Sequence, residues 1–106
     1  MNHDGNTASS STYTIDAADT WEYKTLTFAG DTSQAIANDN GIGLLLRFVQ
    51  AAGTGYTSGT ASAGFSANNM TDANRYVGLN VNIADSTDND WSITGVQLEV
   101  GETATP

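Results

Sequence analysis

The chain has 106 residues, with 12 acidic side chains against three basic ones, a net charge of −9 and no cysteine. Disulfides, thiolate metal sites and cysteine nucleophiles are therefore excluded, and three cations are too few to replace the counterions of a nucleic acid. No apolar run approaches the length of about 20 residues that crosses a bilayer, so we expect no membrane insertion.

The first part of the chain predicts a flexible tail and then the first strands of one domain. Residues 1–11 are polar and show no signal peptide, so we assign them to a flexible N-terminal tail and residues 12–106 to a single domain. A short strand is expected at 13–15 and a longer one at 22–29, in which Leu26 and Phe28 share the inward parity. Glu22 begins this strand with its side chain near Lys24.

The middle of the chain predicts two further strands separated by a long loop. In residues 42–49, Leu44, Leu46 and Phe48 share one face, and the outward face holds Leu45, Arg47 and Val49. Residues 51–67 are rich in glycine, serine, threonine and alanine, which is typical of a loop. Alternation resumes at 76–83, and a polar turn follows at 85–90.

The last strand is predicted at 91–100, where Trp91 and Ile93 have one parity and Val96, Leu98 and Val100 have the other. A bulge at Gly95 would absorb this one-residue shift and keep one face inward. With no helical period of useful length, about six evenly spaced strands indicate an all-β sandwich or barrel.

Three stretches resemble the C-terminal module of phage tail-fibre and related virion proteins of marine and cyanobacterial phages. They are ITGVQLEVG with the following ATP near the C-terminus, TWEYKTLTFAGDTS at 20–33 and GIGLLLRF at 41–48. The resemblance implies an antiparallel β-sandwich of jelly-roll type, similar to a carbohydrate-binding module, on a virion and hence extracellular. Because the family has further strands before TWEYKT, the sandwich is expected to be completed by oligomerisation, as a trimer first and a dimer second.

Sugar binding requires aromatic faces for stacking and amides for hydroxyl groups. Tyr23 lies on the outward parity of its strand and Tyr56 lies in the long loop, so both are expected to be exposed. Asn80 and Asn82 share an outward face and could supply the amides. For each residue the alternative is a subunit contact or a packed loop, and Arg47 could form either an intersubunit salt bridge or a ligand contact.

Three aspartates, Asp85, Asp88 and Asp90, fall within six residues and form a candidate calcium site, since calcium prefers oxygen ligands. The spacing departs from the EF-hand, because Val96 occupies the position of its final glutamate. The alternative is an acidic turn capped by Asx hydrogen bonds, with no cofactor.

Catalysis is not expected from this sequence. The one histidine, His3, lies in the predicted tail, and Glu22 and Glu99 are expected on strand surfaces with no cleft between them. The sequence therefore predicts a non-catalytic virion module that recognises a cell-surface glycan. The alternative is a purely structural fibre-capping or oligomerisation domain without a ligand.

Overall fold

Turns and short helices, not a sheet, make up the secondary structure of this protein. The computed structural model describes residues 1–106 and contains four 3-10 helices, at Thr54–Tyr56, Ala67–Met70, Asp72–Asn74 and Ile83–Asp85. None of them is long and apolar enough to cross a membrane. β structure is limited to three isolated antiparallel bridges, which join Asn2 to Thr7, Asn2 to Leu44 and Ala8 to Ser66. The prediction of an antiparallel β-sandwich of jelly-roll type with about six strands is therefore wrong.

The protein has no apolar core. Its three buried residues are all polar: Asn2, Thr7 and Asn69. Leu26, Leu46 and Leu98, which the sandwich would bring together inside, are 40%, 46% and 64% exposed. The one aromatic contact between predicted strands joins Phe48 and Trp91, whose ring centroids lie 5.5 Å apart. The apolar side chains that alternate along each predicted strand therefore do not meet in a shared interior.

The dimensions of the chain agree with this loose packing. Its accessible surface is 7902 Å², whereas a folded monomer of this mass exposes about 5,600 Å². The radius of gyration is 15.1 Å, compared with about 13 Å for a compact domain of this length. The single chain thus leaves uncovered much of the surface that a globular domain buries.

Backbone–backbone hydrogen bonds are few, and side chains bind backbone donors in the turns. The structure has 20 backbone–backbone hydrogen bonds, where a globular chain of this length has about 70. The Glu22 carboxylate accepts from the N–H groups of Asp16 and Ala17 at 2.9 and 2.8 Å, and Asn69 Oδ1 accepts from Ser62 N–H at 2.8 Å. These donors lie in the segments between the predicted strands, so the bonds stabilise turns. The backbone groups of the predicted strands themselves stay largely unpaired.

The N-terminal segment is attached to the rest of the chain by a polar cluster. Asn2 Nδ2 donates to Asp31 Oδ2 at 2.9 Å and to the Gln34 carbonyl at 3.1 Å, and the Thr7 hydroxyl also donates to Asp31 Oδ2. Leu45 N–H donates to the Met1 carbonyl at 2.8 Å. Residues that belong to the predicted flexible tail of 1–11 therefore make specific contacts in this structure.

Candidate functional site

A hydrogen-bonded segment at residues 53–76 brings two tyrosines together. Tyr76 N–H donates to the Tyr56 carbonyl at 3.0 Å, and Gly59 N–H donates to the Ala73 carbonyl at 2.8 Å. These bonds place the first and third 3-10 helices in contact. The sequence predicts this region as a long loop followed by a strand, and the structure replaces both with a folded-back pair of helical turns.

A buried amide organises the same segment. Asn69 is 2% exposed, and its Nδ2 group donates to the carbonyls of Ala8, Ser62 and Gly64 at 2.9, 3.0 and 3.1 Å. A search for apolar periodicity does not find such a residue, because its burial depends on hydrogen bonds and not on hydrophobicity. The asparagine pair at 68 and 69 within a serine- and glycine-rich stretch was the available sequence signal.

The two tyrosines face a surface cleft, which we call the Tyr56–Tyr76 cleft. It has a volume of about 480 Å³ and is lined by Ala51, Ala52, Gly53, Tyr56, Asp72, Arg75 and Tyr76. The two tyrosine rings lie 6.2 Å apart between centroids, with an angle of 35° between their planes. Arg75 Nε donates to Asp72 Oδ1 at 3.0 Å, so a guanidinium and a carboxylate lie beside the rings.

No protein-family model, no curated protein and no solved structure matches this chain. What the cleft can bind therefore follows from its own residues. Aromatic faces supply stacking surface, and a paired guanidinium and carboxylate supply hydrogen-bond donors and acceptors. Such a set suits a ligand that has both an apolar face and hydroxyl groups.

The four predicted sugar-binding residues do not meet in one place. Tyr56 is 44% exposed and lines the Tyr56–Tyr76 cleft. Tyr23 is 77% exposed and lines a second cleft of about 520 Å³, against the C-terminal residues 102–106. Asn80 is exposed, whereas Asn82 Oδ1 accepts from Ala84 N–H at 3.1 Å and caps the fourth 3-10 helix.

Sequence reasoning missed three residues of the Tyr56–Tyr76 cleft. The sequence pattern places Tyr76 at the start of the predicted strand 76–83, and it indicates no role for Asp72 or Arg75. The signal that could have found the pair is the i, i+3 spacing of opposite charges, which places Asp72 and Arg75 on one side of a helical turn. Nothing in the local sequence indicates that Tyr56 and Tyr76 meet, since 20 residues separate them.

The three aspartates of the candidate calcium site do not form a ligand set. No group of three or more carboxylate, imidazole or thiol side chains is placed to hold a metal ion. Asp85 Oδ1 accepts from Asn89 Nδ2 at 2.6 Å, and Asp88 N–H donates to Ser86 Oγ at 3.2 Å. The segment containing Asp85, Asp88 and Asp90 is thus an exposed turn stabilised by short-range side-chain bonds.

Two glutamates are fully engaged in local hydrogen bonds. The Lys24 ammonium, 2.7 Å from Glu22 Oε2, and the Ala17 N–H group lower the pKa of Glu22. The backbone N–H and hydroxyl of Thr105 lower the pKa of Glu99, which also accepts from Gln97 Nε2 at 3.0 Å. Both carboxylates are therefore ionised at neutral pH.

Proposed function

We propose that the chain is a non-catalytic phage virion module of the tail-fibre type, whose copies associate and contact sugars of the host-cell surface. The observation that supports this proposal most directly is the exposure of its apolar side chains. Fifteen large hydrophobic residues are exposed and none is buried. Each buried leucine, isoleucine or phenylalanine contributes about 1.5–3 kcal/mol to stability, so these side chains favour an assembly that covers them.

The uncovered area is sufficient for contacts with neighbouring copies. The chain exposes 7902 Å², which exceeds the expectation for a folded monomer of its mass by about 2,300 Å². A standard interface buries about 800 Å² on each partner, so the excess is enough for two such contacts and nearly for a third. Two contacts per copy is the arrangement in a closed trimer, which is the oligomer that the resemblance implies.

The segment 91–100 is one available contact surface. Val96, Leu98 and Val100 are 55%, 64% and 106% exposed. Its backbone makes no backbone–backbone hydrogen bond. Apolar side chains and unpaired main-chain groups therefore lie on the same segment. This segment also contains most of the ITGVQLEVG stretch, one of the three that resemble virion proteins.

The charge state of the glutamates supports a non-catalytic role. A glycosidase needs one carboxylic acid with a raised pKa to protonate the leaving group. In Glu22 and Glu99 the pKa is lowered, because each carboxylate accepts several hydrogen bonds. Neither side chain is therefore a proton donor at neutral pH.

The experiment is size-exclusion chromatography with light scattering over a range of protein concentrations, followed by a glycan array with the assembled species. We expect a mass above the 11.0 kDa of one chain. The double variant Val96→Asn with Leu98→Asn should shift the mass towards the monomer, and the control Thr94→Asn should not. A monomer at every concentration would refute the association.

The alternative is a purely structural fibre domain. It is supported by the same exposed apolar side chains and differs only in having no ligand. An assembled protein that retains no glycan on the array would favour this alternative over host recognition.

A further inference from the structure

We propose that the Tyr56–Tyr76 cleft is the sugar subsite of the protein and that it selects a neutral pyranose ring. This inference rests on the proposed function and adds a site and a ligand class to it. The two tyrosine rings would supply a stacking platform, and Asp72 and Arg75 would bind the ring hydroxyls. The cleft volume of about 480 Å³ lies within the range of about 300–1,000 Å³ that is typical of small-molecule sites.

The ring geometry determines how a sugar would stack. Atoms in contact lie about 3.5–4.0 Å apart, so a sugar ring between two parallel aromatic faces requires about 7–8 Å. The centroids of Tyr56 and Tyr76 are only 6.2 Å apart, and the rings are tilted by 35°. The sugar therefore stacks on the open side of the pair, where Tyr56 is 44% exposed.

The polar groups beside the rings match a pair of neighbouring hydroxyls. Arg75 uses only Nε in its bond to Asp72 Oδ1. Its two Nη groups, Asp72 Oδ2 and both tyrosine hydroxyls make no hydrogen bond within the protein. Adjacent hydroxyls can each donate and accept, so one can accept from the guanidinium while the other donates to the carboxylate.

The electrostatics favour a neutral ligand over a charged one. Arg75 is already paired with Asp72, and the whole chain has a net charge of −9, so an anionic sugar would be repelled. A cationic ligand could stack on the tyrosines, but Asp72, the one carboxylate that lines the cleft, is already paired with Arg75, and the ligand would have to compete for it. A neutral sugar avoids both costs.

The cleft is formed before any ligand arrives. Besides the bond between Tyr76 N–H and the Tyr56 carbonyl, Thr60 N–H donates to Asn74 Oδ1 at 2.9 Å. Asn74 Nδ2 in turn donates to the Asn68 carbonyl at 3.0 Å. Because these bonds fix both helical turns, little ordering cost should oppose binding.

The test is saturation-transfer NMR on the full chain, with methyl glucoside, methyl galactoside and N-acetylglucosamine as neutral probes. Glucuronate and choline serve as the charged probes, and a proline-rich peptide serves as a non-sugar probe. We expect saturation of at least one neutral sugar and none of the others. Saturation only of glucuronate, choline or the peptide would overturn the proposal.

Variants locate the binding site. Tyr56→Ala should weaken sugar binding about tenfold, because it removes one stacking face, and Arg75→Met should weaken it while leaving the rings in place. The matched control is Tyr23→Ala, which removes an exposed tyrosine from the other cleft. Unchanged hydrogen exchange at the Gly59 amide would verify that the variants keep the fold.

The outcomes separate this inference from the proposed function. If the assembled wild type binds a glycan on the array but Tyr56→Ala and Arg75→Met bind equally well, the subsite is wrong and the virion function stands. If only Tyr23→Ala loses binding, the sugar lies in the second cleft and the subsite is again wrong. If the wild type binds no sugar, both fail.

Discussion

Replacing the buried amide of Asn69 should destabilise the protein substantially. Asn69→Ala removes the hydrogen bonds of three N–H groups: Ser62 N–H, which donates to Oδ1, and the two Nδ2–H groups, which are shared among three backbone carbonyls. Each N–H group contributes about 0.5–1.5 kcal/mol net. Because Ser62 is exposed and can bind water instead, the lower half of the summed range applies, which gives a loss of about 1.5–3 kcal/mol.

Asn69→Asp tests the direction of these bonds. An aspartate can still accept from Ser62 N–H, but its carboxylate would face three carbonyl oxygens. At neutral pH we therefore expect Asn69→Asp to be less stable than Asn69→Ala. Acidification should reduce the difference in stability between the two variants, because a protonated carboxyl can donate one hydrogen bond.

The assay is urea unfolding followed by intrinsic fluorescence at a fixed protein concentration, since association would change the apparent stability. The control is Asn80→Ala, which alters an exposed amide and should stay within about 0.5 kcal/mol of the wild type. If Asn69→Ala and Asn80→Ala unfold at the same urea concentration, the polar centre does not stabilise the protein.

Two further predictions concern acid and a close backbone contact. The Thr7 hydroxyl, with Asn2 and Ser33, holds the pKa of Asp31 well below its usual range. The ionised Asp31 carboxylate should therefore stabilise the folded protein fully above the unfolded pKa of about 3.9. This contribution should decline as the pH falls below that value. The thermal stability of Asp31→Asn should therefore fall less on acidification than that of the control Asp90→Asn. An equal fall in the two variants would contradict this. Gly59→Ala would place a Cβ 2.8 Å from the Ala73 carbonyl oxygen and against Asn74, so urea unfolding should show a loss of about 1–3 kcal/mol. Its control, Gly55→Ala, has nothing within 4 Å of the added Cβ and should not lose stability.

Local polar contacts were accessible from the sequence, whereas the global pairing was not. The expected proximity of Glu22 and Lys24 is confirmed by their 2.7 Å ion pair, because residues two apart need no long-range information. The alternation at 91–100 indicates which side chains share a face. It does not specify which segment hydrogen-bonds to it, and the structure provides no partner strand.

In the candidate site, too, the sequence indicates a single residue but not its long-range contact. Tyr56 could be selected from the sequence because an aromatic residue stands alone in a glycine-rich stretch. Its contact with Tyr76 depends on a chain reversal at 57–73, which is stabilised by the amides of Asn68, Asn69 and Asn74. Asparagine side chains can bond in many directions, so their sequence positions do not define which backbone groups they reach.

The distribution of the basic residues has a consequence for how neighbouring copies could align. Lys24 is paired with Asp16 and Glu22, and Arg75 is paired with Asp72. Arg47 is the one lysine or arginine side chain without an intrachain ion pair, in a chain whose net charge is −9. Apolar contacts alone allow two chains to slide past each other, but a cation of one copy that pairs with a carboxylate of the next favours one register. In the proposed assembly Arg47 would thus act as the orienting contact, and salt would loosen the alignment before it loosened the apolar association.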